Sequence, residues 1–420
     1  MKKSSSKGAR CTPKTDARAV SKYNLFRSPF TPTRSVPLRR FASEPRTDTF
    51  LFMNQDDLIL VTGATGFLGT QVVRELLQRE PRARLALLIR PRPGQTPAQR
   101  AESILQSAES SRVQVYAGDV SEPNCGLDAS TWQLLCAEAT SIIHCAATVR
   151  FDHSLEQARH MNVEGTRKML DFAAAMRSLR SFVYVGTAYV AGERTGLVRE
   201  SELDVGQHFR NTYEQTKAEA EALVRSRLGS LPGVILRPSI IVGDSRTGVT
   251  SSFKMLYWPL KIYSRRLWRT VPGYPDAVLD IVPVDYVARA IAQLASDESA
   301  LGSTVHLCAG PRGSATIEQI AKRAAEYFKV REPRYVDPKI FFAAVRPLLS
   351  LALWGKRRRV LIDGRAYRDY FTMRMQFETT NAERLLGPAG IFPPLVMEYL
   401  DRLLHYCVAS NWGRKEIPAQ

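Results

Sequence analysis

Cysteine is scarce and scattered in this chain. The six, at positions 11, 125, 136, 145, 308 and 407, include no C-x-x-C pair and no spacing suited to a metal. That pattern argues against a zinc module or a disulfide framework and for a reduced, cytoplasmic setting. No run of 18 apolar residues occurs in the 420, so no membrane-spanning helix is expected. Residues 1–52 lack the apolar segment of a secretory signal. They also have almost no acid. Twelve Lys and Arg stand against Asp16, Glu44 and Asp48, a net of +9, so half of the chain's +18 sits in an eighth of its length.

That segment is rich in Ser, Arg, Pro and Thr and has no apolar periodicity. It reads as a basic disordered tail, as an Arg- and Ser-rich organelle transit peptide, as a binding tail, or as residues upstream of a true start at Met53. With the tail set aside, the remaining charge suits an enzyme that handles polyanionic substrates rather than a nucleic-acid binder.

What the chain does have begins at Leu58. Leu58-Ile-Leu-Val61 is an all-apolar run, as a parallel strand buried on both faces requires. Gly63, Gly66 and Gly69 follow, and then Phe67, Leu68, Val72, Val73, Leu76 and Leu77 repeat at helical spacing. A strand, a glycine turn and a helix bring bare backbone N–H groups to a helix N-terminus, where a pyrophosphate is favoured. Strand and helix patterns then alternate, which predicts an α/β fold with a doubly wound parallel, Rossmann-type sheet. Leu85–Ile89 reads as the second strand and ends at Arg90, about twenty residues past the turn. An NAD site would place an acid there; Arg90, with Arg92 close by, suits the 2′-phosphate of NADPH, or else is a solvated charge in a Pro-rich loop. After the third strand, Asp119 is placed either to reach an adenine amino group or to stabilise its turn. The fourth strand, Ser141–His144, runs into small residues that let backbone lie against a cofactor.

Tyr213 and Lys217 are four apart on an alanine-rich helix, so both can face one site. An ammonium beside a phenol would lower its pKa from about 10 and make it a usable proton donor. Thr187, at the end of the fifth strand, can hold a substrate oxygen, and Asn162 lies on a preceding helix.

Together the glycine turn, Asn162, Thr187, Tyr213 and Lys217 resemble the extended short-chain dehydrogenase/reductases. Four longer segments narrow the likeness: His144-Cys-Ala-Ala-Thr-Val-Arg-Phe-Asp152, Asn162-Val-Glu-Gly-Thr166, Val185-Gly-Thr-Ala-Tyr-Val190 and Leu236-Arg-Pro-Ser-Ile-Ile-Val-Gly-Asp-Ser-Arg-Thr-Gly248. They look like those of NADPH-dependent fatty acyl-CoA reductases. They are equally similar to the thioester reductase domains that end carboxylic acid reductases and some peptide synthetases. The likeness covers roughly residues 55–310 and fades beyond. Gly186 departs from it, since the family usually has Ser before the catalytic Thr.

The resemblance implies Thr187, Tyr213, Lys217 and Asn162 as catalytic residues, with Lys217 on the nicotinamide ribose and Asn162 anchoring a water that feeds it. It implies cofactor contacts at Gly63, Thr65, Gly66, Phe67, Leu68, Gly69, Arg90, Asp119, Val120, Ala146, Ala147, Tyr213, Lys217 and Pro238. It also implies an NADP-binding domain at 53–245 and a smaller, mostly helical substrate region at 246–420, with 280–310 returning to the Rossmann core.

In that second region, 253–270 interleaves Phe253, Tyr257, Trp258, Tyr263 and Trp268 with Lys254, Lys261, Arg265, Arg266 and Arg269. Two readings stand: an acyl channel with a basic mouth for carrier phosphates, or an amphipathic helix snorkelling its bases. Residues 339–359, apolar and ending in Lys356-Arg-Arg-Arg359, read as a peripheral membrane contact or as a helix pair closing the substrate region.

The expected function is NADPH-dependent reduction of an acyl thioester, acyl-CoA or acyl-carrier, to aldehyde or onward to alcohol. Two rivals remain. One is an epimerase, dehydratase or dehydrogenase of the same extended family acting on a nucleotide-sugar or sterol-like substrate, against which Arg90 and the aromatic segment argue. The other is a non-catalytic NADP-binding scaffold, which has no need of Tyr213 and Lys217.

Overall fold

The computed structural model describes residues 57–105, 111–151, 153–267, 269–363 and 370–415. The tail at 1–52, Asp152 and Trp268 lie outside the described residues. Strand β1 (Leu58–Thr62) is buried along its whole length. Ile59 and Val61 pack into one apolar cluster and Leu58 and Leu60 into another, which is why the sequence runs apolar without alternation.

Around β1 a seven-stranded sheet assembles from β2 (Arg84–Ile89), β3 (Val113–Ala117), β4 (Ala139–His144), β5 (Ser181–Val185), β6 (Gly233–Pro238) and β7 (Thr304–Leu307). Its order is β7-β6-β5-β4-β1-β2-β3, with every pairing parallel. The order reverses at β1, between β2 on one side and β4 on the other. In such sheets the crevice outside the strands' carboxyl ends at that point is where ligands bind.

Helices cover both faces. On one, α1 (Phe67–Arg79) buries Val72, Val73, Leu76 and Leu77. They share a core with Val287, Ile291 and Leu294 of a helix at Val284–Ala295. On the other lie α2 (Ala129–Glu138), α3 (Gly165–Ala175) and α4 (Thr212–Arg227). Leu155–Arg159, a π-helical turn at His160–Glu164 and α3 follow one another without a break, and the wide turn carries Asn162.

Beyond the sheet, a third apolar cluster joins Tyr257 and Leu260 to Ile317, Ile320 and the inner face of the helix Val396–Ala409. This second region is tied back to the first by strands as well as packing. Ile240–Val242 pairs with Ile281–Pro283, and Met375–Phe377 pairs with Gly196–Val198. Ala382, Leu385, Leu386 and Ile391 pack in the same cluster as β1 and α1, so the return to the first core reaches past 280–310. No helix among the described residues is long and apolar enough to cross a membrane.

Candidate active site

The glycine turn is shaped by contacts that no other residue would permit. Gly63 has φ +72°, and a Cβ there would stand 2.7 Å from the Ala146 backbone nitrogen. A Cβ on Gly69 would come within 2.1 Å of the Gly63 carbonyl. The turn, the start of α1 and the loop after β4 therefore touch backbone to backbone. Gly66 caps α1 without a side-chain hydrogen bond. The first N–H groups of the helix are left to an anion, and the dipole favours one there.

Two connected hollows open on this turn. The larger, of about 820 Å³, is lined by Gly63, Gly66, Phe67, Leu68 and Gly69, then by Ala147, Thr187, Tyr213, Lys217 and Pro238. The smaller, of about 200 Å³, is lined by Thr65, Arg90, Asp119, Val120 and Ala146. Every residue expected to hold the cofactor thus borders one continuous cleft, as do three of the four expected catalytic residues. Asn162 does not.

Instead, Asn162 works behind the cleft. Its Oδ1 accepts from the Thr148 backbone N–H at 2.8 Å, and its Nδ2 donates to the Thr148 carbonyl and to Thr216 Oγ1 at 3.0 Å. It thereby joins the loop after β4 to α4 at a residue lying between Tyr213 and Lys217 in sequence.

Thr187 Oγ1 donates to the Pro238 carbonyl at 3.4 Å and accepts from the Tyr189 N–H at 3.3 Å, and its hydroxyl lowers the pKa of the neighbouring Tyr213 phenol. Burial outweighs that effect and pushes the Tyr213 phenol up to about 12, so it stays protonated at neutral pH. The expected lowering by Lys217 is not what this geometry provides. Lys217 Nζ donates to the Val185 carbonyl at 2.8 Å and sits 4.3 Å from the centre of the Tyr184 ring. Burial brings its ammonium down to about 8, partly offset by Glu221.

Glu221, one turn beyond Lys217, was not anticipated. It is fully buried against Arg237 of β6, at 2.6 Å, and locks α4 onto the sheet. Its only forerunner in sequence is an acid at i+4 from the lysine. A Cβ on Gly186 would lie 3.4 Å from this carboxylate and 3.3 Å from the Leu236 carbonyl, a tight but unblocked fit for the usual Ser.

At the adenosine end, Arg90 and Asp119 face each other at 3.6 Å, and Asp119 Oδ1 accepts from the Ser121 N–H and hydroxyl. Asp119 is therefore a turn-stabilising acid in this structure. A third arginine, Arg100, joins Arg90 and Arg92 along the hollow. Buried on a short helix, Pro97–Glu102, it donates to the Arg90 carbonyl and to Thr65 Oγ1. Burial and then the positive charges of Arg92 and Arg90 lower its pKa. Three guanidinium groups held this close call for an anion.

The bases expected at the mouth are elsewhere. Lys261, Arg265 and Arg266 do not line the cleft; Arg150 and Lys254 do. Arg269 borders instead a separate apolar cavity of about 150 Å³, and its Nε is engaged by the Glu332 carbonyl. Trp258, Tyr263, Phe341, Phe342, Val360 and Leu361 line that cavity. Ile240, Met255 and Tyr370 line both it and the catalytic cleft, so the two meet. Met255 holds φ +48° at this junction, a strained conformation for an unbranched side chain. Of the interleaved aromatics, Tyr257 proves to be core, its hydroxyl accepting from the Gly243 N–H at 2.7 Å.

Comparison with known proteins agrees with this geometry. The mouse fatty acyl-CoA reductase 1 is 30% identical over 271 residues, 55% of this chain and 53% of the relative. The fatty acyl-CoA reductase wat of Drosophila melanogaster is 27% identical over 283 residues, 58% of this chain and 54% of the relative. The chain spans about half the length of the curated relatives it matches. Among solved structures, the terminal R domain from the myxalamid PKS-NRPS pathway superposes with a TM-score of 0.73 at 29% identity, covering 85% of this chain and 91% of that one. The reductase domain of a nonribosomal peptide synthetase from Mycobacterium tuberculosis, at 24% identity and TM-score 0.66 over 86% and 92%, has the same fold. The cleft is that of a protein binding a nicotinamide dinucleotide. The profile of the male sterility protein family matches residues 61–291, more than half of the chain, and with the glycine turn and the Thr-Tyr-Lys cluster inside that span the chain belongs to this family.

Proposed function

We propose that the chain reduces acyl thioesters with NADPH, giving aldehyde and free thiol. The observation that carries this reading is the apolar, aromatic cavity that meets the catalytic cleft at Ile240, Met255 and Tyr370. An acyl chain uses such a cavity; a nucleotide-sugar has no polar partners there. For the cofactor, the fit rests on the backbone cradle at Gly63, Gly66 and Gly69 and on the cluster of Arg90, Arg92 and Arg100, which suits a 2′-phosphate.

When bound, NADPH supplies a hydride. The chain's own residues do the rest. Thr187 and Tyr213 donate hydrogen bonds to the thioester oxygen, where negative charge develops. Tyr213 gives up its phenolic proton there, and its neutral state at physiological pH keeps that proton available. Lys217 holds the nicotinamide ribose, and Asn162 fixes the helix and loop on which these groups sit. The resulting hemithioacetal releases the thiol, which takes a proton, and leaves the aldehyde. Arg150 and Lys254 at the mouth meet the phosphates of CoA or a carrier. We place the reaction in the cytoplasm, consistent with five described cysteines that are all unpaired. The cofactor half is 53–245, joined by 280–310 and by Ala382 to Ile391 in its core, and the rest of 246–420 is the substrate half.

The reading is tested by mixing the full chain with NADPH and a long-chain acyl-CoA and measuring three quantities together. Equal amounts of NADPH consumed, aldehyde formed and thiol released are expected. Thiol release without NADPH consumption would make the chain a hydrolase and overturn the reading.

A further inference from the structure

The segment behind the apolar cavity has a second face. From Pro338 to Ile362 the chain carries Lys339, Arg346, Lys356, Arg357, Arg358 and Arg359 and no acidic residue. Phe341, Phe342, Val360 and Leu361 turn inward to line the cavity. The intervening residues turn out: Leu348, Leu351 and Trp354 are 68%, 81% and 83% exposed, and Ile340 and Ile362 are exposed as well. Leu348 and Leu351 stand one turn apart on the helix Arg346–Ala352. Arg358 and Ile362 do the same on the helix Gly355–Asp363. Arg357, Arg358 and Arg359 are exposed, and none has an ion-pair partner among the described residues.

Large side chains left in water at this density need a reason. A purely apolar protein partner would leave the exposed charges of Arg357, Arg358 and Arg359 unmatched, and a nucleic acid would have no use for Leu348, Leu351 and Trp354. An anionic lipid surface satisfies both, with the apolar side chains entering the acyl boundary and the guanidinium groups on the headgroup phosphates. We propose that the outward face of residues 340–362 docks the protein on anionic membranes. This proposal is independent of the reaction assigned above. It also places the lipid beside the elements that wall the apolar cavity.

The test uses the full chain, so the basic tail is present in every arm. Sedimentation is measured with vesicles of phosphatidylcholine alone and of equal parts phosphatidylcholine and phosphatidylserine. Wild type should bind the mixed vesicles and bind the neutral ones much more weakly. A triple variant, Leu348→Ser, Leu351→Ser and Trp354→Ser, should lose about tenfold or more in affinity with an unchanged circular dichroism spectrum. A second variant, Arg357→Gln with Arg358→Gln and Arg359→Gln, should lose most of the preference for phosphatidylserine. Wild-type binding by both variants would overturn the proposal and assign any membrane affinity to another part of the chain. A wild-type dimer that the first variant splits, with no vesicle binding, would overturn it in favour of a second copy.

Discussion

The floor and the roof of the cleft are built differently. The floor comes from the carboxyl ends of β1, β4, β5 and β6 with the turns that follow them, each placed by a strand whose neighbours are fixed by the sheet. The roof is gathered from Ile240, from 252–263 and 269–272, from Phe341 and Phe342, and from Val360, Leu361, Tyr370 and Phe371, and no single regular element among the described residues spans it. Chemistry common to all substrates needs rigid placement and sits on the floor. Selection among substrates needs shape alone and sits in the roof. The two should therefore fail in different ways when altered.

The largest effect is expected on the floor. Tyr213→Phe should lower turnover by roughly a hundred- to ten-thousand-fold, while NADPH affinity, read by fluorescence titration, stays close to wild type. A comparable loss of cofactor binding would mean that the phenol holds NADPH rather than the substrate oxygen. Next in size is the buried pair beneath it. Arg237→Leu removes one of the two arginines on the buried Glu221 and leaves Arg225, 3.0 Å from its Oε1, as the remaining partner, at a cost of about 1–3 kcal/mol in stability by urea titration. A near-neutral result would show that α4 is held to the sheet by packing alone.

Arg100→Ala should weaken NADPH by roughly ten- to a hundredfold and NADH far less, since charge-assisted bonds contribute about 1.5–3 kcal/mol. Equal losses for both cofactors would mean that Arg100 only braces Thr65 and the Arg90 loop. The roof should respond in another currency. Met255→Trp narrows the passage to the apolar cavity, so long acyl-CoAs should lose efficiency by about fourfold for each methylene shut out. Short ones should be little affected. An equal loss at all lengths would place the acyl chain elsewhere.

The smallest effect concerns pH. Lys217 loses its proton near pH 8 in the folded chain, against an ordinary value of 10.5. Efficiency should fall above about pH 8 as the ammonium is lost. The unfolded state holds more protons between these two values, so this residue makes the fold more stable as pH rises through that window. Lys217→Met should flatten that slope in thermal melts.

The same division governs what can be read from sequence. The turn at Gly63 to Gly69 and the Tyr213–Lys217 spacing are local patterns, and local patterns fix which residues face one site. They do not fix what each group does there. Lys217 faces the site yet is turned to the Val185 carbonyl, so the expected lowering of the phenol does not follow. Arg100 was invisible because it reaches Thr65 across 35 residues from an otherwise ordinary capped helix. The bases from Lys261 to Arg266 were misplaced for a related reason. Interleaving of aromatic and basic residues marks an amphipathic helix, but only packing against Ile317 and Ile320 decides which side meets the cleft.

The claim that floor and roof serve one reaction is tested most directly by NADPH oxidation over a series of acyl-CoAs of increasing length. Wild type, Tyr213→Phe and Met255→Trp are run side by side. Wild-type efficiency should climb with chain length. Tyr213→Phe should lower the whole curve without changing its slope, and Met255→Trp should flatten the slope while sparing the shortest substrates. A flat wild-type curve, or a Tyr213→Phe curve that keeps the wild-type height, would contradict it.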